Sequence, residues 1–140
     1  MDIRSEMAGQ TQVASSLDAL FLPRSVAVVG ATERAGSVGR TIVENLINGP
    51  FGGPIYPINL KASSILGLKA YQRLADVPGP IDLVVVVTPA PTVPGVIREA
   101  VDVGARGAIV ISAGFREVGP EGAELERQVL EEARRGNMRI

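Results

Sequence analysis

The chain contains no cysteine and no histidine in its 140 residues. Lack of cysteine rules out a disulfide, a thiol nucleophile and a thiolate metal site. Lack of histidine rules out a serine-histidine relay, an imidazole zinc ligand and a phosphohistidine. Most self-sufficient catalytic machinery is thereby excluded, and no catalytic residue or metal site is assigned. Carboxylates, lysines, arginines and backbone groups remain, which suit holding a ligand better than transforming it. An excess of one charge is missing as well, because 14 Lys and Arg stand against 15 Asp and Glu for a net charge of -1. With the signs mixed along the chain, there is no basic face for nucleic acid and no block of like charge for a membrane surface. No apolar run approaches the ~18 residues of a membrane span, and the start, Met-Asp-Ile-Arg-Ser-Glu, has no apolar signal core. The expected location is the cytoplasm.

What is present describes one globular domain, with 46% hydrophobic and 21% charged residues and enough length to bury a core. Residues 1–15 are polar and unpatterned, and Ser16 to Phe21 forms a short helix with Leu17, Leu20 and Phe21 on one face, stopped by Pro23. The lead and this helix fill residues 1–24, and the domain proper occupies 25–140. Ser25 to Val29 is a run of small and β-branched residues, as in a strand covered on both faces. From Val38 the period changes to that of a helix, with Val38, Ile42 and Leu46 on one stripe and Val43 and Ile47 beside it. Gly49, Pro50, Gly52 and Gly53 end that helix. Ile55 to Asn59 is a second strand, weakened by Pro57. Leu60 to Pro80 is irregular, with a short helix near Gln72 to Ala75. Ile81 to Val87, with four consecutive valines, is the clearest strand. A helix over Val93 to Val103 follows, with Val93, Val96, Ile97, Ala100 and Val101 inward, then a strand over Gly107 to Ile111 and a last helix from Pro120 to Arg135. Met138 to Ile140 begins another strand, so the domain is expected to continue into something longer.

Strands alternating with helices at this spacing give an α/β, Rossmann-like, doubly wound and mostly parallel sheet in a single domain. The right-handed crossover rule puts all strand C-termini on one edge, where ligands bind. Gly30 to Gly39, Asn59 to Lys61, Thr88 to Pro91 and Ser112 to Phe115 meet there. In Ser25 to Arg40 a buried strand leads through Gly30 to a tight turn, and a helix start aims unpaired N–H groups back at it, which makes a phosphate site. The glycines fall at Gly30, Gly36 and Gly39, with Thr32 where a dinucleotide loop has its second glycine. No Asp or Glu lies between Asn45 and Asp76 to take ribose hydroxyls. NAD is therefore disfavoured. Lys61, near the end of strand two, fits a ligand with an extra ribose phosphate, either the 2′-phosphate of NADP or the 3′-phosphate of coenzyme A. Such a contact is worth about 1.5–3 kcal/mol. Arg34 and Arg40 are weaker candidates.

The segments Leu20-Phe21-Leu22-Pro23-Arg24-Ser25-Val26-Ala27-Val28-Val29-Gly30-Ala31-Thr32 and Gly36-Ser37-Val38-Gly39-Arg40 closely resemble the N-terminal CoA-binding domain of the NDP-forming acyl-CoA synthetases. That family is related to the succinyl-CoA synthetase alpha subunit. The likeness continues through Ile55 to Asn59, Asp82 to Ala90 and Ile109 to Phe115, and covers nearly all of the chain after Leu17. The resemblance implies that Gly30, Ala31, Thr32, Ser37, Val38 and Gly39 hold CoA phosphates, with Asn59 and Lys61 by the adenosine 3′-phosphate. It also implies that Thr88, Pro89, Ala90, Ser112, Ala113, Gly114 and Phe115 line the path of the pantetheine arm. Where the family has Asn-Pro-Lys, Leu60 replaces the proline, leaving Lys61 in register but less rigidly placed. The implied role is to hold CoA, as a substrate, for thioester formation with an acyl phosphate. ATP or ADP and magnesium would enter only through partner synthetase domains or an ATP-grasp subunit. An NADP- or NAD-binding regulatory or redox module, and the CoA-binding part of an acetyltransferase fusion, are the alternatives.

Overall fold

The computed structural model describes residues 20–140. The expected lead at 1–15 and most of the expected first helix lie outside these residues; Leu20 and Phe21 are helical. The main sheet has four strands, β1 (Val26–Val29), β2 (Ile55–Ile58), β5 (Leu83–Val86) and β6 (Gly107–Val110), in the order β2-β1-β5-β6 with every neighbouring pair parallel. Helix α1 (Val38–Asn48) joins β1 to β2, α2 (Val93–Asp102) joins β5 to β6, and α3 (Pro120–Arg135) follows β6. Beyond α3, Arg139 makes a parallel bridge to Gly107, so the strand expected over Met138 to Ile140 begins beside β6. The winding runs outward from β1 to β2 on one side and from β5 to β6 on the other. The switch point therefore lies between the C-terminal ends of β1 and β5.

The side chains of the two central strands alternate between layers, as the period of two requires. Ala27, Val29, Val84 and Val86 join Val93, Ile97 and Ala100 of α2 and Val129 and Ala133 of α3 in one core. Val26, Val28, Leu83 and Val85 join Val43 of α1 in the other. Val84 and Val86, both 0% exposed, each contribute about 1.5–3 kcal/mol by leaving water. The faces are unequally covered. One helix, α1, lies over the second face, and Ile109 and Ile111 on and after β6 are 39% and 48% exposed there, beside an apolar groove of about 620 Å³ lined by Phe21, Leu46 and Phe51.

Three local features depart from the sequence expectation. In α1 the buried positions are Gly39 and Val43, while Val38 is 53% exposed, because the helix turns its small residue toward the sheet. Pro57 weakens nothing. Val26 N donates to Pro54 O and Gly30 N to Ile58 O, so by alternation residue 57 points its nitrogen away from β1. Residues 60–80 hold a small antiparallel hairpin, β3 (Ser64–Ile65) and β4 (Leu68–Lys69). Its turn places Leu66 and Gly67 at φ 50° and 83°, the pair of positive angles that a two-residue hairpin needs. Ile65 is 1% exposed and anchors the hairpin on the α1 face. The short helix is a 3-10 turn at Leu74–Asp76.

At the opposite end of the sheet, the buried Ser25 hydroxyl donates to Pro80 O (2.7 Å) and accepts from Asp82 N (3.0 Å). Asp82 in turn accepts from Arg24 N through its carboxylate, and from Arg106 N and Gly107 N through its carbonyl. Replacing Ser25 by Ala strands a buried donor and acceptor, so Ser25→Ala should lower the urea unfolding free energy by about 1–3 kcal/mol at unchanged m. A loss under about 0.5 kcal/mol would show that water takes over both partners.

Candidate functional site

The loop after β1 begins at the switch point with Gly30 at φ 97°, where a Cβ would stand 2.7 Å from Val87 Cγ2. The next helix comes closer still, since a Cβ on Gly39 would lie 2.3 Å from Gly30 O. Glycine at both places lets the first turn of α1 settle on the end of β1, the close helix-to-strand approach of a phosphate loop. Ser37 caps α1, its hydroxyl accepting from Arg40 N (3.2 Å) and donating to Arg34 O (2.7 Å). With that hydroxyl engaged, what α1 offers outward is its positive end and the N–H groups of Val38 and Gly39, which have no intrahelical acceptor. Arg40 is committed to bracing the loop, with Nε 2.6 Å from Glu44 and Nη1 2.5 Å from Glu33 O.

Asn59 fastens the loop after β2 to the loop after β1. Its Nδ2 donates to Ala31 O (2.9 Å), and its Oδ1 accepts from Lys61 N and Ala62 N (2.8 Å each). The amide thus positions its neighbours, turning the chain so that Lys61 reaches the sheet edge. The Lys61 ammonium has no partner among the described residues, and Leu60 beside it is 77% exposed.

Between these loops and α2 lies a cavity of about 540 Å³. Gly30, Ala31 and Thr32 form one wall, Asn59, Leu60 and Lys61 another, and Thr88 closes the end nearest β5. Ser37, Val38, Gly39, Pro89, Ala90 and Ser112 to Phe115 do not line it. The last two loops lie next to each other further along the edge. The Ser112 hydroxyl bonds the Thr88 carbonyl, and a Cβ on Gly114 would be 3.1 Å from Ala90 Cβ. Glu117 secures the second of these loops from outside, its carboxylate accepting from Gly114 N (2.6 Å) and Phe115 N (3.1 Å). Those backbone N–H groups, Gly114 foremost, hold its pKa below the ordinary carboxylate value. Among the described residues no group of three or more His, Cys, Asp or Glu could hold a metal ion, and no helix is long and apolar enough to cross a membrane.

The remaining wall includes residues that the sequence pattern assigned to no site: Gln72, Arg73, Leu74, Thr92, Val96 and Glu99. Thr92, Val96 and Glu99 recur at helical spacing just after Thr88, a signal available in the sequence. Gln72 to Leu74 gave no such signal. They reach the cavity because Tyr71 bridges to Ile58, with Tyr71 N on Pro57 O and Asn59 N on Tyr71 O, both 2.9 Å.

A family model described as a CoA binding domain matches residues 24–140. The chain is 46% identical over 121 residues to the ADP-forming acetate-CoA ligase II of Archaeoglobus fulgidus, covering 86% of this chain and 18% of that protein. It is 42% identical over 129 residues to the alpha subunit of the ADP-forming acetate-CoA ligase I of Pyrococcus furiosus, covering 89% of this chain and 28% of the subunit. The chain thus spans under a third of the length of either relative. Among solved structures, the apo form of a dinucleotide-forming acetyl-coenzyme A synthetase 1 from Ca. Korarchaeum cryptofilum superposes with a TM-score of 0.82 at 39% identity, over 87% of this chain and 26% of that one. A D-galactose-1-dehydrogenase from Rhizobium etli superposes at 0.54 with 16% identity, over 79% of this chain and 35% of that one, a likeness of fold alone.

Two outcomes follow from this geometry. Gly39→Ala should force α1 off the Gly30 carbonyl and cost about 1–3 kcal/mol in denaturant unfolding, the range for overpacking; an unchanged midpoint would mean the approach is looser than 2.3 Å implies. For Glu117 the folded pKa is the lower one, so its hold on the loop is complete above the unfolded carboxylate value and lost as pH falls through the folded value. Exchange protection at Gly114 and Phe115, corrected for intrinsic rates, should therefore fall as pH drops below the ordinary carboxylate range and be absent at neutral pH in Glu117→Ala, which removes the acceptor. Protection that is the same in both proteins across the range would refute the role of Glu117.

Proposed function

Because this chain belongs to the CoA binding domain family, we propose that the edge described above holds coenzyme A as a substrate for thioester formation. The observation that carries the assignment is the cation of Lys61, unpartnered among the described residues, on the rim of a cavity whose opposite wall is the loop after β1. In this reading Gly30 to Thr32 take the diphosphate together with Ser37, Val38 and Gly39 at the start of α1, Val38 and Gly39 through N–H groups that have no intrahelical acceptor. Lys61, aimed by Asn59, pairs with the adenosine 3′-phosphate. Ile58, Leu74 and Val96 supply an apolar wall for the base. Thr88 to Ala90 and Ser112 to Phe115 lie along the same edge and guide the pantetheine arm away from the cavity. The loop after β1 meets an anionic ligand with backbone and helix N–H groups, its one acid, Glu33, being engaged by Leu66 N, and no acidic residue stands between Asn45 and Asp76.

The chemistry assigned to the parent enzyme is attack of the CoA sulfur on the carbonyl carbon of an acyl phosphate, forming the thioester as phosphate leaves with the bonding pair. The chain has no histidine to carry phosphate toward that acyl group. Synthesis of the acyl phosphate, with its ATP or ADP and magnesium, is therefore assigned to further synthetase domains or an ATP-grasp subunit. The relatives' greater length supports that division. As part of such an enzyme the chain works in the cytoplasm.

Calorimetric titration of the chain with CoA, dephospho-CoA, NADP and NAD tests the reading. CoA should bind more tightly than dephospho-CoA by roughly 10- to 150-fold, the worth of one charge-assisted contact, and NAD should bind most weakly. NADP binding without CoA binding would overturn the assignment. Lys61→Ala should remove most of the preference for CoA over dephospho-CoA, whereas equal losses for both ligands would take Lys61 out of the phosphate site.

A further inference from the structure

The cavity rim carries a second cation. The bridge from Tyr71 to Ile58 lays residues 71–73 along the outer side of β2, which brings Arg73 beside the Asn59 to Lys61 turn. Arg73 has extended backbone, φ -140° and ψ 155°, so it shares a face with Tyr71, the face on which α2 packs. Among the described residues its side-chain partner is Glu99, with Arg73 Nε 3.9 Å from the carboxylate, beyond hydrogen-bond reach, and its side chain is 67% exposed.

Five other arginines are held more closely. Arg40, Arg98, Arg116, Arg127 and Arg135 each stand within 3.0 Å of a carboxylate oxygen. Arg73 lines the cavity, and its guanidinium makes no hydrogen bond to a carboxylate among the described residues. Glu99 is tied down, accepting from Ala75 N (3.3 Å) with its side chain 27% exposed. It holds a charge near the guanidinium without satisfying its donors.

A phosphate monoester carries a charge of about -1.5 to -2 at neutral pH, more than one ammonium neutralises. We infer that Arg73 is a second specificity-determining cation for the ribose phosphate, a bidentate partner opposite Lys61, and that Glu99 keeps the guanidinium at the rim and competes with the phosphate for it. The inference rests on the reading that this cavity takes the 3′-phosphorylated adenosine of CoA. Geometry favours arginine here, because two parallel N–H groups match two phosphate oxygens as an ammonium does not.

The test is titration of CoA and dephospho-CoA into the unaltered chain, Arg73→Ala, Arg73→Lys and Glu99→Gln, with urea midpoints confirming that each variant is folded. Arg73→Ala should weaken CoA by about tenfold or more while leaving dephospho-CoA within about twofold, and Arg73→Lys should restore only part of the loss. Glu99→Gln should tighten CoA more than dephospho-CoA. Equal weakening of both ligands by Arg73→Ala would assign the guanidinium to the adenine ring and overturn the inference, as would an unchanged preference for CoA. If the unaltered chain binds CoA and Lys61 alone accounts for the preference, only the Arg73 inference fails. If the unaltered chain binds no CoA, the reading of the cavity fails with it.

Discussion

The first turn of α1 lies so close to the first carbonyl after β1 that a methyl group at position 39 would stand 2.3 Å from Gly30 O. The rest of the site depends on that approach. It brings the positive end of α1 to the switch point and lets Ser37 close the turn through Arg34 and Arg40. It also leaves the Ala31 carbonyl where Asn59 can bind it. Pulling α1 outward by the width of a methyl group would displace the loop, and with it the side chain that holds the end of β2 in place.

Asn59 is the second element of the arrangement. One amide bonds the loop after β1 through its nitrogen and shapes the loop after β2 through its oxygen. An asparagine at the end of β2 therefore does two jobs that the acidic residue of a dinucleotide site does not. It contributes no charge, and it turns the chain that carries Lys61 toward the sheet edge. The carboxylate that does face the cavity, Glu99, comes from α2 and is accompanied by Arg73. The charge at the rim thus sits on side chains around the cavity, while the loop after β1 presents backbone groups.

The strands were legible because a buried parallel strand must be apolar on both faces, and Val26 to Val29 and Leu83 to Val86 are. The last helix was legible to the residue, since Pro120 starts it and Gly136 caps it. The hairpin at Ser64 to Lys69 was not, because two-residue strands are too short to show alternation and only its Leu66-Gly67 turn marks it. The exposure of Ile109 on β6 was not legible either in the apolar run at Gly107 to Ile111. A sheet edge with a helix on one face only leaves alternate residues exposed, and hydrophobicity along the strand does not say how many helices lie above it.

The sequence by itself determined the α/β alternation, the edge where four loops meet, the glycine-rich turn and the absence of an acidic residue near the end of β2. Each is a property of local order along the chain: a period, a spacing or a missing residue type. Only the tertiary structure decided that Asn59 is a latch, that Ser37 is a cap, and that Gln72, Arg73 and Glu99 belong to the cavity. Those assignments depend on which side chains already have partners and on a bridge between Tyr71 and Ile58, residues 13 apart in sequence. No period along the chain encodes a hydrogen bond between two loops, because its partners meet only after the sheet has brought their strands side by side.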